Sequence, residues 1–578
     1  MSTGPDYLWI ECVKKLLGVC FVAPAINSSS SIFGFAEFIA ALALLVVVYT
    51  VADFRYRFRI SVAPIPLFPI TFICIGLIGV GTLVTDIWLH DKLPVPDIYV
   101  TQSMWQGLLG FAFLAVAMAW LWFAFVKPPI FGRSNYKEFA RALYRAVVRG
   151  SETELPVIGE ELIRSARSLV LHTKPNRRAR KDEEDKLPVK PTKDDELQGY
   201  AHDVLLLLGD RKLCRHLVKS SPGTAMAIFD AAVKLEQFHA PLGQFAKNVS
   251  TEAILNTDSI LYHEDEGYEV GLLGYIKPFS RALYGNYRLV ESLACDNASP
   301  LDISFTVGMR WNGQQLSAYA RCVLLTLEDY IAQKKWGQHS YALYRAINTI
   351  EHSLLDVYKL GQLEERFDAD PYQRLQVAVQ FVNDAIELIG KAEKVPKPIS
   401  RGLPKKNSRR DLYDHLANLA FEVIFSVSRI EGSADTWHIH YSTVWTRFFP
   451  GYDKDDLAVL YFQSKLKRLL WDEIKSLDEL PNYKNAAILG YCLNVTGVTE
   501  PTKKSFEKET SSLRRAVVRW TKRNYLKLRE ANSDVADACL MGTITFDAEH
   551  SQLVKIYIKG LNKVAPKDIL QLDPLQPR

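Results

Sequence analysis

Signatures of catalysis are missing from this sequence. The chain contains no GxxxxGK[S/T] phosphate loop, no HExxH pair and no GxSxG motif. The stretch GLIGVG at residues 76–81 lies inside an apolar run, where small residues let helices approach closely but do not form a nucleotide loop. These absences disfavour an enzyme, although catalytic residues can also lie far apart in a sequence.

Closely spaced metal ligands are also missing. The eight cysteines are scattered and form no CxxC pair, which excludes a disulfide scaffold and a zinc site built on such a pair. His438 and His440 would share one side of a predicted strand, but no further cluster of ligands accompanies them. We therefore expect isolated buried thiols in a reducing compartment, and neither a metal nor a cofactor.

Long uncharged runs are confined to the first 126 residues of the chain. Residues 33–51 contain a single charge, Glu37, whereas residues 65–85 and 104–126 contain none. Each run has about the length that a helix needs to cross a ~30 Å hydrocarbon core. The sequence therefore predicts three transmembrane helices within residues 32–131.

The loops between these runs differ in charge. The first loop is basic and carries Arg55, Arg57 and Arg59. The second loop carries three carboxylates against one lysine. Under the positive-inside rule, the basic loop and everything after residue 131 are cytoplasmic, and the N-terminus lies outside. This predicts a multi-pass protein of the cell (inner) membrane.

Residues 1–31 fit three descriptions. Lys14 and Lys15 precede a short apolar stretch and an A-x-A sequence, as in a signal peptide, but Asp6 and Glu11 lie where such a signal is basic. We favour an amphipathic N-terminal helix on the outer membrane face. A cleaved signal and a fourth crossing remain open.

Beyond residue 131 the apolar residues recur mainly at helical spacing. Residues 136–148 place Phe139, Leu143 and Val147 on one face of a helix. Strand patterns are few, at residues 303–311, 437–445, 543–546 and 554–558. The predicted fold class is mainly α, with three transmembrane helices and a large, mostly α-helical cytoplasmic region with a few short strands.

Charged stretches that contain proline suggest a division of the cytoplasmic region. The predicted parts, in chain order, are a juxtamembrane helical segment (132–172), a charged linker or loop (173–196), a middle helical domain (197–395), a basic loop (396–411) and a C-terminal domain with a basic helix (412–578).

Carboxylates at the predicted outer face suggest a pore mouth. Glu37 lies one turn into the first crossing, where a charge is costly unless it meets water or a polar partner. Asp86, Asp91 and Asp97 of the outer loop would form an acidic ring in a homo-oligomer and concentrate cations. Three helices cannot enclose a water path alone, so conduction requires an oligomer. An ordinary acidic loop and an interfacial Glu37 are the alternatives.

Residues 503–529 contain ten basic residues and two acidic ones. On a helix, the basic residues would form a cationic face opposite an apolar face. Arginine guanidinium groups bind phosphates through paired hydrogen bonds. The predicted ligand-binding residues are Arg514, Arg515, Arg519, Lys522 and Arg523, with Trp520 (or Tyr525) as a stacking ring. Lys405, Lys406, Arg409 and Arg410 would extend this patch. A solvated basic face and a surface for anionic lipids are the alternatives.

The layout of three apolar helices at residues 33–126, followed by a large helical sensor, resembles the membrane effectors of bacterial anti-phage defence systems, such as the Hailong-type effector. The resemblance concerns architecture alone and assigns no binding residues. It implies a ligand-gated effector that binds a nucleotide or oligonucleotide messenger and opens or disrupts the membrane as a homo-oligomeric channel. The alternative is a membrane-anchored scaffold or receptor that recruits cytoplasmic partners without catalysis. No stable protein partner is identifiable from the sequence.

Overall fold

The computed structural model forms a mainly α-helical protein that divides into two compact units. The described residues are 14–16, 19–22, 32–51, 53–91, 93, 95–96, 102–173, 192–270, 276–296, 298–308, 310–336, 338–399, 410–430, 434–450, 456–501, 510–557 and 564–575. The first unit holds the described residues up to Leu207, and the second those from Leu208 onwards.

The first unit is built from seven helices within the described residues. In chain order they are Phe35–Val51, Phe54–Ser61, Leu67–His90, Gln102–Leu121, Tyr136–Arg149, Glu154–Leu171 and Lys193–Leu207; a π-helical turn, Trp122–Val126, extends the fourth. We call Phe35–Val51, Leu67–His90 and Gln102–Leu121 with its extension the first, second and third apolar helices. Phe54–Ser61 is the loop helix and Tyr136–Arg149 the juxtamembrane helix.

Two of these helices, Leu67–His90 and Ser103–Val126, are long and apolar enough to cross a membrane. The first apolar helix has 17 residues, or about 26 Å of rise, which is short of a ~30 Å hydrocarbon core. It ends at Val51 because Asp53 already caps the following loop helix. Of the three predicted crossings, the structure therefore supports two by helix length.

Tryptophan side chains join the second and third apolar helices at both ends. The indole of Trp105 donates to the Thr85 hydroxyl over 3.0 Å, and that of Trp120 donates to the Thr71 hydroxyl over 2.7 Å. The pairing of early with late positions means that these helices run antiparallel. In an apolar surrounding, such bonds contribute about 0.6 kcal/mol each on average.

A buried ion pair ties three elements of the first unit together. The loop helix places Arg59, which is only 7% exposed, against Glu161 of helix Glu154–Leu171. The same guanidinium also donates to the Ala124 carbonyl in the π-helical turn, over 2.7 Å. The loop arginines predicted as an orientation signal therefore include one that the structure buries.

The juxtamembrane helix forms as predicted, with Phe139, Leu143 and Val147 buried. Helix Lys193–Leu207 packs against it, and the hydroxyl of Tyr136 donates to the Glu196 carboxylate over 2.7 Å. The predicted linker 173–196 thus contains the start of this helix, while residues 174–191 lie outside the described part of the chain.

The N-terminal region contains strands where we expected an amphipathic helix. Lys14–Leu16 pairs antiparallel with Val19–Val22, which in turn pairs with Val95–Pro96. The second strand reads VCFV, and its β-branched and aromatic residues favour extended backbone over helix. The prediction of a helix is therefore wrong for residues 14–16 and 19–22. The other residues of 1–31 lie outside the described part of the chain.

The second unit is also helical. Its longer α-helices are Arg211–Ser220, Gly223–Lys234, Gly243–Leu255, Ile260–Val270, Pro278–Tyr284, Tyr287–Cys295, Gly313–Ala332, Tyr341–His352, Asp370–Gly390, Leu412–Ser428, Leu457–Lys475, Tyr483–Thr496 and Ser511–Ala531. The π-helix His438–Trp445 and the 3₁₀ turns Val357–Gln362 and Ser476–Asp478 lie between them, together with the short α-helical segments Phe305–Gly308, Ala434–Trp437, Thr446–Phe448 and Ser533–Asp537. Helix Asp370–Gly390, before the predicted basic loop 396–411, packs on Leu412–Ser428 and Leu457–Lys475 after it. The helices on both sides of that loop therefore share one unit.

One small sheet lies near the C-terminus. The antiparallel strands Ile544–Asp547, Gln552–Ile556 and Lys567–Gln571 pair in that order, which confirms the two strands predicted there. The strands predicted at residues 303–311 and 437–445 are wrong, because both segments contain helical turns. Several of their apolar residues, among them Ile303, Trp311, Ile439 and Trp445, are buried by tertiary packing, which overrides a weak alternating pattern.

Candidate functional site

The predicted basic helix is present as Ser511–Ala531, while residues 503–509 of the predicted range lie outside the described part of the chain. Its buried face, opposite the predicted cationic face, holds the side chains of Leu513, Val517, Trp520 and Leu528. Its exposed face holds four of the predicted ligand residues: Arg515, Arg519, Lys522 and Arg523. The helix is therefore amphipathic, and its cations are concentrated on the solvent side.

Arg514 differs from the other predicted ligand residues because its donors are already used. Its Nε donates to the Thr499 carbonyl over 2.9 Å, and its Nη2 donates to the Thr499 hydroxyl over 3.1 Å. A side chain at Gly497, where φ is +89°, would also approach this guanidinium to 3.1 Å. Arg514 therefore holds the turn before the helix and is poorly placed for a ligand.

Two cations of the exposed face have acidic neighbours. Arg519 Nε lies 3.2 Å from the Glu500 carboxylate, and Lys522 Nζ lies 3.6 Å from the Asp573 carboxylate. All four side chains are about half exposed, so each pair contributes only about 0.2–1 kcal/mol. A phosphate could displace these acids at low cost.

Arg515 and Arg523 are the two predicted ligand residues of this helix whose charges have no partner among the described residues. Both are exposed, and neither forms a hydrogen bond or ion pair with another described residue. They lie two turns apart on the same side, which spaces their guanidinium groups for two phosphates or for one extended anion. The charge part of the predicted site is therefore present on this face.

The stacking part of the prediction is wrong. Trp520 is 7% exposed, and its indole nitrogen donates to the Asp478 carboxylate over 3.0 Å. Tyr525 is fully buried, which raises its pKa to about 12. Both rings face inward because the apolar side of the basic helix packs on helix Tyr483–Thr496. The helix therefore offers positive charge without an accessible ring.

The second predicted basic cluster is described only at Arg410. Lys405, Lys406 and Arg409 lie outside the described residues. Arg410 is exposed and directly precedes Asp411, which caps helix Leu412–Ser428. Within the described part of the chain, no hydrogen bond or ion pair joins Arg410 to the basic helix. Extension of the patch by these residues stays a prediction.

The structure brings two of the predicted pore carboxylates together at the start of the first apolar helix. Glu37 accepts a hydrogen bond from the Gly34 amide over 2.9 Å, and Asp86 accepts one from the Phe35 amide over 2.8 Å. These amides belong to the positively polarised helix N-terminus, which favours negative charge. Glu37 and Asp86 therefore cap the N-terminus of this helix.

The other two predicted pore residues are less constrained. Asp91 is exposed and lies 3.2 Å from the ring nitrogen of His90. Asp97 lies outside the described residues. The acidic end of the first unit is thus established for Glu37, Asp86 and Asp91, all of which keep some exposure to solvent.

The two neighbouring histidines do not form a shared site. His440 is fully buried, with Nε2 2.8 Å from the Val427 carbonyl and Nδ1 3.2 Å from the Asn494 amide. Burial lowers its pKa to about 4. His438 is exposed. Because the segment is helical, the two imidazoles diverge, and no group of three potential metal ligands occurs among the described residues.

A cleft that the sequence did not reveal lies in the second unit. It has a volume of about 610 Å³ and opens between the end of helix Leu412–Ser428 and the start of helix Tyr483–Thr496. Its polar and aromatic lining comes from Tyr358, Phe425, Ser428, Arg429, Tyr483 and Lys484. These residues are far apart in the chain and follow no motif, so no sequence pattern predicts the cleft.

Stacked cations are the main feature of this cleft. The Arg429 guanidinium lies 4.7 Å from the centre of the Tyr358 ring and 5.8 Å from that of Phe425. The Lys484 ammonium lies 4.7 Å from the Phe425 ring centre. Cations held over aromatic faces in this way are positioned before any ligand arrives.

Comparison with known protein families, curated proteins and solved structures finds no match for this chain.

Proposed function

We propose that this protein is a multi-pass membrane effector that is controlled by an anionic, nucleotide-like messenger. The second unit binds the messenger, and an oligomer of the first unit then opens or disrupts the membrane. This is the behaviour of the anti-phage effectors that the layout resembles.

The observation that carries the proposal is the combination of a cationic face with long apolar helices in one chain. Arg515 and Arg523 present unpaired guanidinium groups, which bind phosphate through charge-assisted hydrogen bonds. The first unit exposes large apolar side chains along its apolar helices, among them Leu44, Phe72, Leu77 and Phe111. Such a surface is unfavourable in water and suits lipid.

The path of the chain provides a connection between sensing and response. Helix Lys193–Leu207 packs on the juxtamembrane helix and leads directly into the second unit at Leu208. A messenger shifts the protein towards an open state only to the extent that it binds that state more tightly. We propose that binding alters the packing of helix Lys193–Leu207 on the juxtamembrane helix.

The acidic end of the first unit gives the proposed path its selectivity. Glu37, Asp86 and Asp91 of several copies would surround the pore mouth and attract cations. With the basic loop facing the cytoplasm, this end faces outward. The protein therefore favours cations over anions in this proposal.

Reconstitution into dye-loaded liposomes tests the proposal directly. Leakage that depends on an added nucleotide or oligonucleotide supports an effector. A sealed membrane in the presence of all such compounds, together with specific capture of a cytoplasmic protein, would instead identify the scaffold.

A further inference from the structure

We infer that the cleft beside Arg429 is the part of the second unit that recognises a nucleotide base, with its phosphate on the Arg429 guanidinium. The inference rests on the proposed function and deepens it. The exposed face of the basic helix supplies charge but no ring, whereas the cleft supplies both. Its volume of about 610 Å³ lies within the range of small-molecule sites and accommodates one nucleotide unit.

The charge that binds the phosphate is Arg429. This side chain is exposed, forms no hydrogen bond or ion pair with any described residue, and is held over the Tyr358 ring at 4.7 Å. A guanidinium stacked by one face keeps its N–H groups in the plane of the fork free for a phosphate. Arg429 is therefore a fixed cation without a counter-ion among the described residues.

Lys484 is not equivalent to Arg429, although it lines the same cleft. Its ammonium is 2.8 Å from the Glu422 carboxylate, so its charge is already matched. Glu351 and Glu473 also lie near this pair; burial raises the pKa of each carboxyl, Lys484 opposes the rise and Glu422 adds to it. An anion at Lys484 would meet these carboxylates. The phosphate is therefore expected at the Arg429 end.

The base is expected on Tyr483. This ring is 64% exposed at the first position of helix Tyr483–Thr496, and it stacks on no other described aromatic side chain. An exposed tyrosine with a free face at the rim of a cleft is a stacking platform, and base–aromatic stacking is sequence-tolerant. Met541 and Leu540 form the apolar wall of the same cleft.

Equilibrium dialysis of the full-length chain in detergent with radiolabelled ATP tests this inference. Tyr483→Ala should weaken ATP binding roughly five- to 100-fold because one base-stacking contact is lost. Arg429→Gln should weaken it at least about tenfold because a charge-assisted contact is lost. ATP should compete better than either adenosine or inorganic triphosphate, since the cleft contacts both parts of the nucleotide.

Two substitutions outside the cleft serve as matched controls. Tyr341 is 50% exposed at the first position of helix Tyr341–His352, so Tyr341→Ala removes a comparable ring elsewhere. Arg447 is an exposed arginine that does not line the cleft, so Arg447→Gln removes a comparable charge. Both variants should bind ATP within about twofold of the original chain.

Three results overturn the inference. The first is the absence of ATP binding by the unmodified chain up to ~1 mM. The second is ATP binding that survives both cleft substitutions but is lost in Arg515→Glu/Arg519→Glu; this places the ligand on the basic helix and leaves the proposed function intact. The third is competition by triphosphate equal to that by ATP, which shows a phosphate site without a base. Nucleotide-independent liposome leakage contradicts the proposed function alone.

Discussion

The Arg59 guanidinium and the Glu161 carboxylate form a buried two-point ion pair, with Nε–Oε2 at 3.0 Å and Nη2–Oε1 at 2.5 Å. The remaining amino group of Arg59 binds the Ala124 carbonyl, at the end of the third apolar helix. One side chain thus connects the loop helix, an apolar helix and the helical segment that follows them. Any relative movement of these elements must either break this ion pair or move both of its partners together.

Removing one partner of the pair should strongly destabilise the first unit. Arg59→Met leaves the Glu161 carboxylate buried and poorly paired, because Arg55 approaches it only to 3.8 Å. Loss of one partner of a buried ion pair typically costs about 3–5 kcal/mol. We therefore expect the melting temperature of the detergent-solubilised chain to fall by several degrees.

The exposed neighbour Arg57 provides the control for this measurement, since Arg57→Met removes the same group from the solvent side of the loop helix. The double variant Arg59→Met/Glu161→Met should recover part of the loss, because two apolar side chains leave no unpaired charge. Equal melting temperatures for Arg59→Met and Arg57→Met would show that the pair is not a tie between these elements.

Charge reversal on the basic helix should abolish the response to the messenger. Arg515→Glu/Arg519→Glu places two carboxylates on the face where phosphates of the messenger other than the one at Arg429 are proposed to bind, and the carboxylate at position 519 would also face the existing Glu500. We expect binding of an active messenger to weaken by at least about tenfold and ligand-dependent leakage to disappear. The matched control is Lys219→Glu/Lys234→Glu, which changes the net charge equally at exposed sites on other helices. Retained binding and leakage in the Arg515 and Arg519 variant would exclude this face.

The acidic pore mouth can be tested without losing the helix cap. Glu37→Gln keeps an oxygen that accepts from the Gly34 amide, whereas Glu37→Ala removes it. The alanine variant should lower stability by about 0.5–2 kcal/mol, as loss of a cap does elsewhere. The glutamine variant should leave stability nearly unchanged and report the charge alone.

Combined neutralisation then measures selectivity. With Glu37→Gln, Asp86→Asn, Asp91→Asn and Asp97→Asn together, we expect the preference for cations over anions in liposome flux to fall severalfold. Unchanged conductance and selectivity in this variant would contradict the acidic pore mouth and leave these carboxylates with only a role as helix caps and loop residues.

Elements with strong local patterns could be predicted from the sequence. The long apolar runs became helices, the residues of 136–148 formed the juxtamembrane helix, and the basic helix buried the expected side. Each of these patterns repeats over several helical turns, so its periodicity outweighs the contrary propensity of any single residue. The two strands near residue 550 were also found, because a turn separates two short β-branched segments.

Features that depend on distant residues could not be predicted. Ile439, Tyr441 and Val444 have high strand propensity, yet packing around His440 makes the segment helical. Trp520 was predicted to stack on a ligand because helical spacing shows which residues share a face of a helix. It does not show which other parts of the fold cover that face. The cleft joins Tyr358 and Tyr483 from separate helical regions, so only tertiary structure brings its parts together.

The buried His440 should make the second unit less stable in acid. Burial lowers the pKa of His440 to about 4, against 6.5 for an exposed imidazole. Between these values the unfolded chain binds a proton that the folded chain does not. Stability is therefore complete above about pH 6.5 and decreases as the pH falls towards 4, by an amount on the order of 3 kcal/mol. His415, whose pKa burial also lowers to about 4, acts in the same direction.

Replacement of His440 separates this titration from general acid sensitivity. His440→Gln keeps an N–H that can donate to the Val427 carbonyl but has no group that titrates in this range. The variant should melt at a lower temperature near pH 7.5, because packing is disturbed, yet lose less stability between about pH 7 and pH 5. His438→Gln, at the exposed neighbour, should retain the full pH dependence. If both variants lose stability with acid as steeply as the original chain, His440 is not the group responsible, and His415→Gln becomes the decisive measurement.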